Sequence, residues 1–285
     1  MLAKRQEEIR DGLADSDLFG SLFDEELDEL IAYGALVEMP AGKLIFQRGD
    51  PGDSLMIVLS GRIKISNVSA DGKEAVLNFI EPGHCFGEVA MLDGRERSAD
   101  ATCLETSQMF VLKKKDMLAF IETHPGITWR ILGVLCAKLR RTTEMVEDSV
   151  LLTMAPRIAR GLLRLVRDYG RKEGDSVLIG LRLSQRELGG YVGLARENIN
   201  RQLSAWRNED LVSVREGCIV IHRLGELERI AQGDGCPSTC CRDGSGRPFH
   251  PFRCARDAWP RDRLRDVVRR VPAICRGLAS CVPRA

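Results

Sequence analysis

The chain has 285 residues, 42 Lys and Arg against 41 Asp and Glu, a formal net charge of +1 and 44% hydrophobic residues. That length is about two domains' worth, with enough apolar content for packed cores. The charge is unevenly placed: residues 1–151 carry 17 basic and 26 acidic side chains (net −9), residues 152–232 carry 14 and 10 (+4), and residues 233–285 carry 11 and 5 (+6), all eleven of them Arg. A protein that coats nucleic acid over its whole surface is excluded, and only the later part of the chain suits a polyanion.

The longest uncharged apolar runs, Leu55–Leu59 and Ile131–Ala137, are far too short to span a bilayer. The charged start MLAKRQEEIRDG does not read as a secretory signal. Cys85, Cys103, Cys136 and Cys218 sit singly among apolar residues, as reduced core thiols do, and the other six cysteines fall after residue 233. The chain reads as cytoplasmic.

Residues 5–33 are acidic and amphipathic, with Leu18, Phe19, Leu22, Phe23, Leu27, Leu30 and Ile31 at helical spacing, which predicts short helices. From Gly34 to about Lys113 the pattern becomes short runs: KLIFQ (43–47), SLMIVLSG (54–61), RIKISNV (62–68), EAVLNFI (74–80) and SQMFVLK (107–113). Turns at Pro40–Gly42, Gly49–Gly52, Asp71–Gly72 and Pro82–Gly83 punctuate them, a spacing that predicts a compact β-barrel or roll.

After Pro125 a long helix is predicted. Thr128, Leu132, Leu135, Leu139, Thr142, Val146 and Ser149 alternate steps of four and three, a heptad seam with Arg140, Arg141, Glu144 and Glu147 off it. The seam could pack on the helix's own barrel. A second stripe, Ile127, Ile131 and Val134, can do that instead, which leaves the heptad for a partner and predicts a homodimer through residues 128–149. Thr153–Pro156 reads as a hinge, because Pro156 disfavours helix at Ala155 and fits the first turn of a new one. A helix with Ile158, Leu162, Leu165, Val166 and Tyr169 on one face follows. The loop YGRKEGDS, the strand VLIGLRL, two short helices and a hairpin at about 211–222 complete a small α+β unit.

Two segments carry chemistry. In EPGHCFGEVAMLDGRERSADATC (81–103), Gly87 precedes a short apolar turn whose free amides suit an anion. Glu88 is favourable at the start of that turn, and could instead accept from a ribose hydroxyl. Arg97 can grip a phosphate with two parallel hydrogen bonds, and Ser98 adds a hydroxyl donor. In LSQRELGGYVGLARENINRQLSAW (183–206), Ser184 and Glu187 have capping-box spacing, Gly189 permits close helix approach and Gly193 supplies a turn. Ile199, Leu203 and Trp206 then form a buried stripe. Opposite them lie Arg196, Glu197, Asn200 and Arg201, residue types that read guanine, cytosine and adenine edges, although a solvated helix face is also polar.

The FGE-x-A segment with RSA ten positions on resembles the phosphate-binding cassette of cyclic nucleotide-binding domains, and GDPGDSLMIVLSGRIKI (49–65) resembles the strands of the same domain. With the long helix and the helix-turn-helix, residues 18–232 resemble the Crp/Fnr regulator family, nearest to its cyclic-AMP-responsive members. The resemblance implies an N-terminal cyclic nucleotide-binding β-roll of double-stranded β-helix type (residues 1–124), a dimerisation helix and hinge (125–154) and a winged helix-turn-helix (155–232). It implies that the Gly87 amide, Arg97 and Ser98 hold the cyclic phosphate of cyclic AMP or cyclic GMP, Glu88 the ribose, and Thr142 and Thr143 the base. It also implies that Arg196, Glu197 and Arg201 touch bases, Ser184 and Gln185 touch phosphates, and the hairpin at Glu216–Gly217 forms a wing. Asn200 departs from the small residue of the cyclic-AMP-responsive pattern, so the base read at that position does not carry over from the resemblance. The partners so implied are a palindromic DNA operator, a second copy of the chain and RNA polymerase.

No N-terminal cysteine cluster is present to hold an iron–sulfur centre. Residues 233–285 read mainly as a disordered Arg/Pro/Cys-rich extension with a short helix near 262–271, in composition like a sequence read out of frame. The other reading is a zinc knuckle of Cys236, Cys240 or Cys241, His250 and Cys254, and no metal is expected overall. The alternatives to a cyclic-nucleotide regulator are an effector-free relative, one sensing a cyclic dinucleotide, or a nucleotide-regulated enzyme. For the last there is no catalytic motif, and His84, His124, His222 and His250 are isolated in sequence.

Overall fold

A computed structural model of the protein describes residues 2–233. The candidate zinc ligands Cys236, Cys240, Cys241, His250 and Cys254 and the expected helix at 262–271 lie outside the described residues.

The chain opens with α1 (Leu2–Ala14) and α2 (Asp24–Tyr33). Leu18, Phe19, Leu27 and Leu30 are buried as their spacing predicts, but Phe23 is 68% exposed. It occupies the N-cap of α2, where its amide donates to Glu26 Oε2 at 2.8 Å, and its extended backbone turns the ring outward.

Eight strands follow: β1 (Ala35–Met39), β2 (Leu44–Phe46), β3 (Ser54–Ser60), β4 (Ile63–Val68), β5 (Glu74–Ile80), β6 (Cys85–Phe86), β7 (Asp100–Cys103) and β8 (Ser107–Lys113). They form two antiparallel sheets, in the orders β1-β8-β3-β6 and β2-β7-β4-β5. β3 shows why the central runs lack a polar face. Met56 and Val58 point into a core with Ile63, Ile80, Phe86 and Met109, while Leu55 and Ile57 point into a second core beneath the helices. A strand covered on both sides is apolar throughout. β1, β6 and β7 are short strands beyond those predicted.

After α4 (Lys114–Thr123) comes α5, Gly126–Leu151, which is 26 residues long. Ile127 and Ile131 are buried against the N-terminal β-domain, whereas Leu132, Leu139 and Val146 of the heptad are 44%, 67% and 57% exposed. The break to α6 (Met154–Tyr169) is two extended residues, Leu152 and Thr153. It falls earlier than predicted: Ala155 is helical, and Pro156 takes the third helical position, where no intrahelical amide bond is lost.

The C-terminal unit comprises β9 (Gly170–Glu173), β10 (Ser176–Arg182), α7 (Gln185–Val192), α8 (Arg196–Asn208), β11 (Val212–Arg215), β12 (Cys218–Ile221) and α9 (Leu224–Gln232). Its sheet has the order β11-β12-β10-β9. The segment YGRKEGDS, predicted as a loop, supplies strand β9, paired from Gly170 to Glu173 with Ser176–Ile179. β9 is an exposed edge with no core face, so no alternation marks it. The unit's core joins Ile158, Leu162, Leu188, Tyr191, Ile199 and Trp206, and it continues into Val76 and Phe79 of β5.

Cys85 and Cys103 are buried, but Cys136 is exposed and Cys218 partly so, which corrects the reading of all four as core thiols. Cys136 faces outward from α5, and Cys218 starts a strand beside the hairpin turn. His222, isolated in sequence, lies between the hydroxyls of Ser213 (2.8 Å) and Ser176 (3.1 Å) and ties three strands of this sheet together. No helix among the described residues is long and apolar enough to cross a membrane.

Across the α5–α6 break, Asp148, 2% exposed, accepts from Arg160 Nη1 at 2.9 Å and from Arg164 Nη1, which is itself buried. Removing one partner of a buried ion pair strands the other, so Asp148→Ala should cost about 3–5 kcal/mol in urea unfolding. A loss below about 1 kcal/mol would show the pair to be solvent-screened.

Candidate functional site

β6 ends at Gly87, which adopts φ +80° and caps α3 (Glu88–Asp93). That left-handed backbone suits glycine, and a Cβ there would lie 2.6 Å from Arg97 Nη1. The loop after α3 returns Arg97 beneath this turn. Arg97 Nη1 donates to Gly87 O at 2.8 Å and Ser54 O at 2.9 Å, Nη2 donates to Ser54 Oγ at 2.9 Å, and Cζ lies 4.3 Å from the centroid of the Phe46 ring.

Arg97 is only 4% exposed, and its Nε has no partner. Every hydrogen-bond acceptor it has is neutral. Burial lowers its pKa from the ordinary arginine value, while Asp53, Glu88 and Asp50 pull the other way. Arginine keeps its proton under such a shift, so the chain holds a desolvated cation without an ion-pair partner within 4.0 Å among the described residues. Such a charge is costly unless an anion joins it.

Glu88 is buried beside it. Its Oε1 accepts from Lys138 Nζ at 2.8 Å, and its Oε2 has no hydrogen-bond partner. A buried carboxylate oxygen with a free lone pair is an acceptor for a ligand hydroxyl. Lys138, on α5, also donates to Cys85 O at 3.0 Å and was not singled out in the sequence. The signal was available, since position 138 continues the stripe Ile127, Ile131, Val134 by one further step of four.

Gly87, Glu88 and Arg97 are therefore brought together, with Ser98 exposed next to them. Thr142 and Thr143 stand exposed on α5, where their hydroxyls donate back to Lys138 O at 2.9 Å and Leu139 O at 3.0 Å. Thr142 connects to the pocket through Lys138. Ser54 and Phe46, which frame Arg97, had no signal in the sequence beyond membership of strands.

In the second site, Ser184 caps α7. Its Oγ accepts from the Glu187 amide at 3.1 Å, and Glu187 Oε2 accepts from the Ser184 amide at 2.9 Å, completing the predicted capping box. Gly193 turns the chain at φ +69° into α8. Ile199, Leu203 and Trp206 are buried, and Arg196, Glu197, Asn200 and Arg201 are exposed together on the opposite face. Gln185 Nε2 donates to Asn200 Oδ1 at 3.1 Å, and Arg201 Nη2 donates to Asn198 Oδ1 at 2.9 Å, so the face is loosely braced rather than locked by ion pairs. Glu216 (φ +53°) and Gly217 (φ +81°) form the two-residue turn of the β11–β12 hairpin, as such turns require.

The profile of the cyclic nucleotide-binding domain family matches residues 36–124, and that of the Crp-like helix-turn-helix domain matches residues 156–230. The chain is 31% identical to a CRP-like cAMP-activated global transcriptional regulator of Mycobacterium tuberculosis over 196 residues, 69% of this chain and 86% of that one. It is 32% identical to the cyclic AMP receptor protein of Thermus thermophilus over 218 residues, 76% of this chain and 98% of that one. Among solved structures, the c-di-GMP-responsive global regulator of Xanthomonas campestris shares the fold, with a TM-score of 0.62 and 23% identity over 70% of this chain and 99% of that one.

Gly87→Ala forces a side chain into the left-handed region and against Arg97, so the protein should lose about 1–2 kcal/mol in urea unfolding. Ser184→Ala should lose about 1 kcal/mol through its missing cap. A neutral Gly87→Ala would contradict the contact between this turn and Arg97.

Proposed function

This chain belongs to the Crp/Fnr family of transcription regulators, and from that premise we propose that it is a homodimer in which cyclic AMP, or cyclic GMP, controls the reading of a palindromic operator. The observation that supports this most is Arg97, a buried guanidinium held only by neutral acceptors. A cyclic phosphate would supply the missing anion, with the Gly87 amide and the Ser98 hydroxyl adding donors. The free Oε2 of Glu88 would accept from the ribose 2′-hydroxyl. Thr142 and Thr143 would meet the base, and because Thr142 lies on the exposed heptad, the base would touch the partner's helix as well.

The sensor then spans residues 1–124, the dimerisation helix and hinge 125–154, and the reader 155–232. Leu132, Leu139 and Val146 are apolar, exposed and in one row, which is what a second copy of α5 would cover. In the reader, α8 would enter the major groove with Arg196, Glu197, Asn200 and Arg201 on base edges, while Ser184 and Gln185 bind phosphates and the Glu216–Gly217 wing flanks them. A dimer would place two such helices about one helical turn apart on DNA. The setting is the cytoplasm, with RNA polymerase as a further partner.

Calorimetric titration with cyclic AMP, cyclic GMP and a cyclic dinucleotide tests the ligand assignment. One of the first two should bind the wild type, and Arg97→Ala should weaken it at least about 30-fold, the equivalent of about 2 kcal/mol for a stripped charge-assisted contact. No binding by either would contradict the assignment, and binding of the dinucleotide alone would replace it. Arg196→Ala should cost about 1–3 kcal/mol on operator DNA and relax one base position, as a bidentate guanine contact carries that discrimination. Unaltered sequence preference would remove Arg196 from the base contacts.

A further inference from the structure

We propose that Arg141 is a positioning residue that ties the placement of the DNA reader to the nucleotide site, a role that rests on the nucleotide-responsive function above. α5 carries a second heptad seam. Ile127, Ile131, Val134, Lys138, Arg141, Met145 and Asp148 alternate steps of four and three, one residue behind the exposed seam, and not one of them is exposed. The seam starts apolar and is mostly charged from Lys138 on, with Met145 between Arg141 and Asp148. Ile127, Ile131 and Val134 pack on the core beneath the helices. Lys138 then reaches Glu88, Arg141 reaches Asp168 Oδ2 at 2.9 Å and Tyr191 Oη at 2.8 Å, and Asp148 holds Arg160 and Arg164.

Lys138 and Arg141 are three residues apart on one face of a helix, about 4.5 Å along its axis. A single turn of α5 thus holds the Glu88 carboxylate with one side chain and the reader with the next. Thr142, which follows Arg141, donates to the carbonyl of Lys138. Any ligand contact that shifts this turn shifts Arg141 with it.

The far end of the connection is equally specific. Tyr191 belongs to α7, the first helix of the helix-turn-helix, and is 1% exposed. Its ring centroid lies 5.7 Å from that of Phe79 in β5, and the guanidinium carbons of Arg141 and Arg164 each lie 5.7 Å from the ring. Phe79 O in turn accepts from Tyr169 Oη at 2.8 Å. Sensor sheet, long helix and two reader helices therefore converge on one side chain. Arg141 uses Nη1 on α6 and Nη2 on α7, so a rotation of α5 that preserves one bond stretches the other. Apolar packing by Phe79 and Val76 holds the reader near; the forked guanidinium selects its orientation.

The test uses the full chain and an operator fragment selected by the wild-type protein, with the ratio of DNA affinities in the presence and absence of cyclic AMP or cyclic GMP, whichever binds the wild type, as readout. Arg141→Gln should bring the ratio to within about two-fold of one. Tyr191→Phe, which keeps the ring and removes only the acceptor, should lower it part of the way. The double variant should fall no further than Arg141→Gln, because both changes remove one interaction. Arg141→Lys should not restore the wild-type ratio, since an ammonium cannot span both partners. A wild-type ratio in Arg141→Gln, or losses that add in the double variant, would overturn the proposal. If neither cyclic AMP nor cyclic GMP changes even wild-type DNA binding, the proposed function fails, and amide exchange decides the tie separately. Arg141→Gln should then speed exchange across residues 185–192 about ten-fold while β3 and β8 keep theirs. Unchanged exchange in α7 would overturn it.

Discussion

A helix that must pack on two sides at once constrains everything else in this molecule. The residues of α5 that face its own chain begin at Ile127, and a second row, exposed except at Leu135, begins at Thr128, so two heptad rows run side by side along this 26-residue helix. A hydrogen-bonded helix moves as a unit, so one row cannot shift without the other. The inner row meets the sensor at Ile131 and Lys138 and the reader at Arg141 and Asp148. The outer row is the surface proposed for a second copy. In the proposed function, ligand, partner and DNA domain would thereby be joined by covalent geometry before any particular contact is counted. The change from apolar to charged residues within the inner row follows from what it meets: a closed core first, then the junction of two domains, where directional bonds fix orientation better than apolar packing does.

Around this helix the two charge blocks are placed for different tasks. The sensor, acidic in total, concentrates one desolvated cation at Arg97 and leaves it without a carboxylate partner. A fold selected for stability alone would gain from pairing or replacing that charge. The helix-turn-helix unit has a small positive excess, and its exposed face on α8 mixes two arginines with Glu197 and Asn200, so the selectivity proposed for it would lie in placed groups more than in bulk charge.

Much of this was legible in the sequence because it is local. The capping box of Ser184 and Glu187, the turn at Gly193, the Gly87–Glu88 pair and the outer heptad of α5 all depend on residues a few positions apart. The fold expected from such patterns, from the punctuated strand runs and from the family resemblance, a β-roll, a long helix and a helix-turn-helix, is the fold found. What was not legible depends on distant partners. Arg141 looks like a solvated flank of a helix until Asp168 and Tyr191 are brought to it from 27 and 50 residues away. Ser54 becomes a ligand of Arg97 only across 43 residues. β9 was missed since an edge strand without a core face carries no alternation, and Phe23 and Cys136 were misassigned because apolar character alone does not say which side of a helix or turn is covered.

The central claim is that nucleotide and DNA act on one another through α5, and linkage tests it most directly. If cyclic AMP tightens DNA binding by some factor, DNA must tighten cyclic AMP binding by the same factor. Calorimetric titration of cyclic AMP into the full chain, with and without a saturating operator duplex, measures that second factor. The nucleotide affinity should be tighter on DNA, by a factor equal within error to the gain in DNA affinity caused by the nucleotide. An identical nucleotide affinity with and without DNA would contradict it.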